Sequence, residues 1–131
     1  MTEQTIPSLI SVGIAAIIGL LILWWGAACK RGTFPKNHIL GVRTPTTLRS
    51  NEAWVTAHRA GAPQLLIAGW GIITAALVAT VFTLILNPVP AVPLVFTLAF
   101  VWALGWIISS SGTAARAARS FRGNHDQTPT N

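Results

Sequence analysis

The sequence is short of nearly everything a water-soluble domain presents to solvent. Only 9% of its 131 residues carry charge, against about 25% in soluble domains, which excludes a soluble globular fold. A single cysteine, Cys29, excludes a disulfide scaffold. With only three carboxylates in the chain, hydrolase or glycosidase chemistry has almost nothing to work with. No nucleophile and base pair is legible, so no enzymatic activity and no cofactor are expected. Cys29, His38 and His58 fall at irregular spacing and make no recognised zinc pattern, so no metal is expected either. Disorder requires low hydrophobicity, and 52% of the residues are apolar.

The remaining class is a membrane protein, and the uncharged runs say where it crosses. Residues 4–29 carry no charge and are rich in Ile, Leu, Ala and Gly. About 20 such residues span a hydrocarbon core of roughly 30 Å, which predicts a first span over residues 8–28. Residues 60–115 form a second uncharged run, too long for one crossing, interrupted by Pro88, Pro90 and Pro93. Proline lacks the backbone N–H and clashes with the preceding turn. The run therefore splits into spans over residues 63–86 and 93–113, joined by a tight antiparallel connection. All of this is one membrane domain, residues 1–131.

The basic residues fix an orientation. Lys30, Arg31, Lys36, Arg43, Arg49 and Arg59 lie between the first two spans, and Arg116, Arg119 and Arg122 follow the third. The positive-inside rule places that loop and the tail in the cytoplasm and the amino terminus outside. The formal charge of +6 thus reads as topology and lipid contact rather than nucleic-acid binding. A secretory signal has its basic residues before the apolar stretch; here Lys30-Arg31 follows it, so the first span is expected to be retained. Cys29 reads as a small residue at the cytosolic interface. Trp24 and Trp25 sit at the aromatic-belt position, and Trp102 and Trp106 lie one turn apart in the third span. No ionisable side chain falls inside any span, which argues against a pump or coupled transporter.

Helix association in lipid depends on small residues that allow close approach. Ser11, Ala15 and Gly19 in the first span, Gly71, Ala75 and Ala79 in the second, and Gly105, Ser109 and Thr113 in the third recur at i, i+4. They support a tight three-helix bundle or a homo-oligomer, without separating the two. The polar tail, residues 120–131, lacks apolar periodicity and is expected to be disordered.

The loop, residues 30–61, is more than a linker. Gly41 allows positive φ, and Pro45 fixes its own φ while pushing Thr44 into an extended form. This predicts a structured turn that projects Arg43. Ser50 can cap a helix whose first turn holds Glu52. On that short helix, residues 51–61, Trp54, His58 and Gly61 share one face, the pattern of an amphipathic helix lying along a membrane surface. Pro63 could then begin the second span. The expected fold is all-α: three transmembrane helices, with a structured cytosolic loop and a short amphipathic helix between the first two.

The string Asn37, Gly41-Val42-Arg43-Thr44-Pro45, Thr47-Leu48, Glu52, Trp54, His58 and Gly61 resembles the signature of the SdpI family of small bacterial membrane proteins. The resemblance covers about 25 contiguous residues and the flanking spans, in a short form with three spans and one copy of the motif. It implies a multi-pass protein of the bacterial cytoplasmic membrane, with Asn37, Gly41, Arg43, Thr44, Pro45, Trp54, His58 and Gly61 as motif residues. The family's namesake protects a producing cell against a secreted membrane-active peptide toxin and holds a transcriptional repressor at the membrane. By that resemblance, immunity to or sensing of a toxic peptide is the expected function. An accessory subunit of a larger envelope complex is the alternative, and a lipid- or anion-binding membrane enzyme using Arg43, Glu52 and His58 a minority one. Arg43 has two uses open: with the hydroxyls of Thr44, Thr46 and Thr47 it could grip a phosphate or carboxylate, or it could pair with Glu52. His58 is expected to hydrogen-bond into the loop.

Overall fold

A computed structural model describes residues 5–86 and 91–125. Three long helices, α1 (Thr5–Arg31), α2 (Asn51–Val81) and α3 (Ala91–His125), account for most of them, and a π-helical turn, Phe82–Leu86, extends α2. There are no strands among the described residues. All three helices are long and apolar enough to cross a membrane. At 1.5 Å per residue, the 27 residues of α1 reach about 40 Å, beyond the roughly 30 Å of hydrocarbon.

The middle helix is the hub, packing α1 on one side and α3 on the other. Space for these contacts comes from glycines. A Cβ on Gly69 would lie 2.8 Å from Leu23 of α1, and one on Gly61 2.7 Å from Ser110 of α3. A Cβ on Gly71 would run into the Trp102 indole. Gly19 and Gly26 carry the α1 side of the seam, close to Ile73 and Leu65.

Small residues therefore do sit at the seams, but not along every expected stripe. Ser11 is exposed and bonds back to the Pro7 carbonyl, and nothing lies within 4 Å of where a Gly105 Cβ would stand. Outward faces carry Ile14, Leu20, Leu77 and Leu98, all exposed, as lipid contact requires.

Two boundaries differ from expectation. Residues 51–61 are not a separate amphipathic helix on the membrane surface: α2 runs unbroken from Asn51 through Pro63. Proline there removes one bond, to the carbonyl of Arg59, and the packing of both neighbours holds the helix together across it. Likewise α3 continues past residue 113 to His125, so residues 120–125 are helical where disorder was expected. Ala114 and Ala118 explain the extension, since both are buried against Ala57 and Val42. The Pro-rich connection at residues 87–90 and the tail at residues 126–131 lie outside the described residues.

That same contact brings the loop onto the α3 extension, which carries Arg116 and Arg119. The two basic segments thus share one end of the bundle.

Candidate functional site

The loop begins where α1 stops. Gly32 takes φ +73°, its N–H donates to the Cys29 carbonyl at 3.1 Å, and the Thr33 N–H donates to that of Ala28 at 3.0 Å. This paired closure of a left-handed glycine cap satisfies the last carbonyls of α1. It also aims Phe34 into the bundle, where that ring is buried with Cys29, Trp54 and Leu65.

From there the chain folds on itself by short-range hydrogen bonds. The Asn37 carboxamide oxygen accepts from the N–H groups of Ile39 and Leu40 at 2.9 and 2.8 Å, and its amide donates to the Pro35 carbonyl. Asn37 thus shapes the turn that precedes Gly41. Around Pro45 the backbone N–H of Thr44 donates to the Thr47 hydroxyl and that of Thr47 to the Thr44 hydroxyl, a reciprocal pair at 2.9 and 3.2 Å. Thr47 is fully buried, and its hydroxyl lies 2.7 Å from the Val42 carbonyl.

Helix α2 clamps this turn. Ser50 caps it as expected, its hydroxyl accepting from the Ala53 N–H at 3.0 Å. One turn on, the Trp54 indole N–H donates to the Phe34 carbonyl at 3.1 Å, with the ring 0% exposed and stacked on Phe34. Trp54 thus faces the loop and not the acyl boundary; its indole N–H finds its acceptor inside the protein.

His58 is the clamp's other jaw. Its ring lies 4.1 Å from that of Trp54. The Val42 N–H donates to Nε2 at 3.0 Å, and Nδ1 stands 2.8 Å from the Trp54 carbonyl. A carbonyl only accepts, so Nδ1 carries the hydrogen and Nε2 the lone pair: the two partners fix a neutral tautomer. With both nitrogens committed, this ring has no free lone pair for a metal. Gly41 closes the box at φ +107°, and a Cβ there would collide with His58 Nε2. Conformation and space both demand glycine.

The motif residues therefore divide. Asn37, Gly41, Thr44, Trp54 and His58 converge on one hydrogen-bonded box. Gly61 belongs elsewhere, at the α2–α3 seam, where its carbonyl accepts from the Ser110 hydroxyl at 2.8 Å. Arg43, Pro45 and Glu52 are exposed. No ion pair joins Arg43 to Glu52 among the described residues; Arg43 Nη1 donates instead to the His38 carbonyl at 2.8 Å, leaving most of its guanidinium open. The threonine hydroxyls are occupied with one another and with backbone, so they are not arrayed around Arg43 as an anion grip. Lys36 likewise ends on a backbone carbonyl, that of Leu48.

Two contributors, Phe34 and Ser110, were not singled out in the sequence, and Trp25, read there as an aromatic-belt residue, packs on the loop instead. Phe34 and Trp25 sit beside the motif at 6.1 Å between ring centroids, and Ser110 reaches in from a distant helix. An aromatic two residues after Gly32 and directly before Pro35 was the available signal for Phe34; nothing local marks Ser110.

Comparison with protein families matches residues 33–110 to the SdpI/YfhL protein family, more than half of the chain. No curated protein and no solved structure matches it.

Proposed function

The chain belongs to the SdpI/YfhL protein family, and from that premise we propose that it confers immunity to, or senses, a membrane-active toxic peptide. In this reading the loop is the surface through which a cytosolic repressor is recruited, and the protein binds rather than catalyses. The supporting observation is the loop's shape. A turn pinned by Asn37, Thr47 and His58 presents Ile39, 87% exposed, beside exposed Leu40, with Arg43 and Arg49 exposed on the same segment. An exposed apolar pair on a segment that also carries exposed cations suits a partner with an acidic-rimmed groove.

The proposed setting is the bacterial cytoplasmic membrane, amino terminus outside, with the loop and the basic end of α3 in the cytoplasm. The excess of Lys and Arg at that end supports it.

Deleting the gene and challenging cells with membrane-active peptides tests the reading. Sensitivity rises if it is right; unchanged sensitivity overturns it. Ile39→Asp separates the two parts, since it is expected to abolish repressor recruitment while the bundle stays folded. A stable complex with other envelope proteins after detergent extraction, with no change in sensitivity, would favour the accessory-subunit alternative.

A further inference from the structure

His58 joins α2 to the loop through a bond that a proton can break. The Val42 N–H donates to the Nε2 lone pair at 3.0 Å, while Nδ1–H donates to the Trp54 carbonyl at 2.8 Å. We propose that His58 is a proton-operated latch: uptake of one proton at Nε2 releases the turn around Gly41 and Val42 from α2.

The closed geometry has no place for that proton. Nδ1 already carries a hydrogen, so an added proton takes the Nε2 lone pair and the ring becomes a donor at both nitrogens. The N–H groups of Nε2 and Val42 then point at each other. Gly41 lies so close that a Cβ there would collide with Nε2. The ring also packs on Phe34 and Trp54, with centroids at 5.4 and 4.1 Å, so relief comes from the loop. A cavity of about 230 Å³ borders the ring, lined also by Gly41, Val42, Ser110 and Ser111. It has room for a few water molecules, which would bring the proton and then accept from the new N–H.

The surroundings supply no counter-ion. On α2, Arg59 follows in sequence, and its guanidinium donates to the Arg31 carbonyl. On the loop, Arg43 donates to the His38 carbonyl, and both residues are exposed. From α1 the titratable neighbour is the buried Cys29 thiol, which packs with Phe34 and Trp54. On α3, Arg116 is exposed and donates to the Thr113 hydroxyl. Glu52, the only carboxylate among the described residues, is exposed six positions ahead of His58. Exposed Glu52 and Arg59 also place this stretch of α2 outside the hydrocarbon.

Burial lowers the ring's proton affinity, against a smaller pull from the Trp54 carbonyl, so its pKa lies below the ordinary 6.5. The closed loop therefore binds fewer protons than the open one, in which the ring is free. Closure is at full strength above about pH 6.5. Below that it weakens by up to about tenfold per pH unit, until the closed-state pKa is reached. Whatever the loop recruits, its display of Ile39 and Leu40 becomes pH-dependent.

Hydrogen exchange on the full chain in lipid nanodiscs tests the latch, read at single amides by NMR at about pH 7.5 and about pH 5.5 and corrected for the intrinsic pH dependence of exchange. Protection at the Val42 amide is expected to fall about threefold to tenfold at the lower pH, with the amides of Ile72 and Ala76 unchanged. His38→Gln should keep this response and His58→Gln should remove it. In the unsubstituted chain carrying 15N-labelled histidine, Nε2 of His58 should take up a proton over the same interval, which decides alone if His58→Gln does not fold. Constant protection at Val42 overturns the proposal. So does a response that survives His58→Gln or is lost in His38→Gln, or an Nε2 that protonates while Val42 stays protected.

Discussion

At the loop end of the bundle, side chains reach across the chain: Trp54 to the Phe34 carbonyl, His58 to the Val42 N–H, Ser110 to the Gly61 carbonyl. Further along the same helices the hydroxyls of Thr80, Thr83 and Thr97 turn back to carbonyls four residues earlier in their own helix. One end is held by directional bonds between distant segments, the other by the fit of side chains over glycines. The difference follows from the solvent. Lipid offers helices no hydrophobic gain on association, so shape has to hold them. At the aqueous margin a loop must instead satisfy its own backbone groups, and specific partners do so.

Substitutions that cost each end differently sharpen this contrast. Trp54→Ala should be the most damaging, removing a fully buried ring and leaving the Phe34 carbonyl unpaired; about 3–5 kcal/mol is expected for the cavity alone. Denaturant titration in mixed micelles would measure it. Gly41→Val comes next, since a β-branched residue at φ +107° is strained by about 1–3 kcal/mol before it meets His58. Limited proteolysis should show cleavage within residues 33–50 while the helices stay protected.

In the apolar half, Gly69→Leu should drive α1 from α2 at Leu23, at about 1–2 kcal/mol, without loosening the loop. Crosslinking between cysteines placed in the two helices would report it. If the loop became protease-sensitive as well, the two ends would not be independent. Arg43→Ala is the smallest in stability, within about 0.5 kcal/mol as for an exposed site. It should nonetheless abolish recruitment of an acidic partner in a pull-down.

Much of the architecture was legible because charge and proline are decisive in lipid. An uncharged run of the right length reads as a span, and the second run separates into α2 and α3 as expected, with Pro93 inside the first turn of α3. Ser50 and Gly41 were legible too, because a cap and a positive φ are local demands. The continuity of α2 through Pro63 was not, since it depends on two neighbouring helices that no window of sequence contains. Nor was the direction of Trp54. An indole on an apolar helix face suits a lipid boundary and a buried box equally well, and only the arrival of Phe34 from twenty residues upstream decides between them. Arg43 shows the same limit: a guanidinium can serve a carboxylate, an anion or a carbonyl, and the tightness of the Asn37 turn is what supplies the last.

The unbroken α2 has a mechanical meaning. Its 31 residues form a rod of about 46 Å, with the His58 clamp near one end and lipid-exposed Leu77 near the other. A tilt of about 5° displaces one end relative to the other by about 4 Å over that length. A disturbance of the bilayer that leans the rod would therefore reach the loop as motion of Trp54 and His58, with Pro63, where one backbone hydrogen bond is missing, the weak point between the two ends.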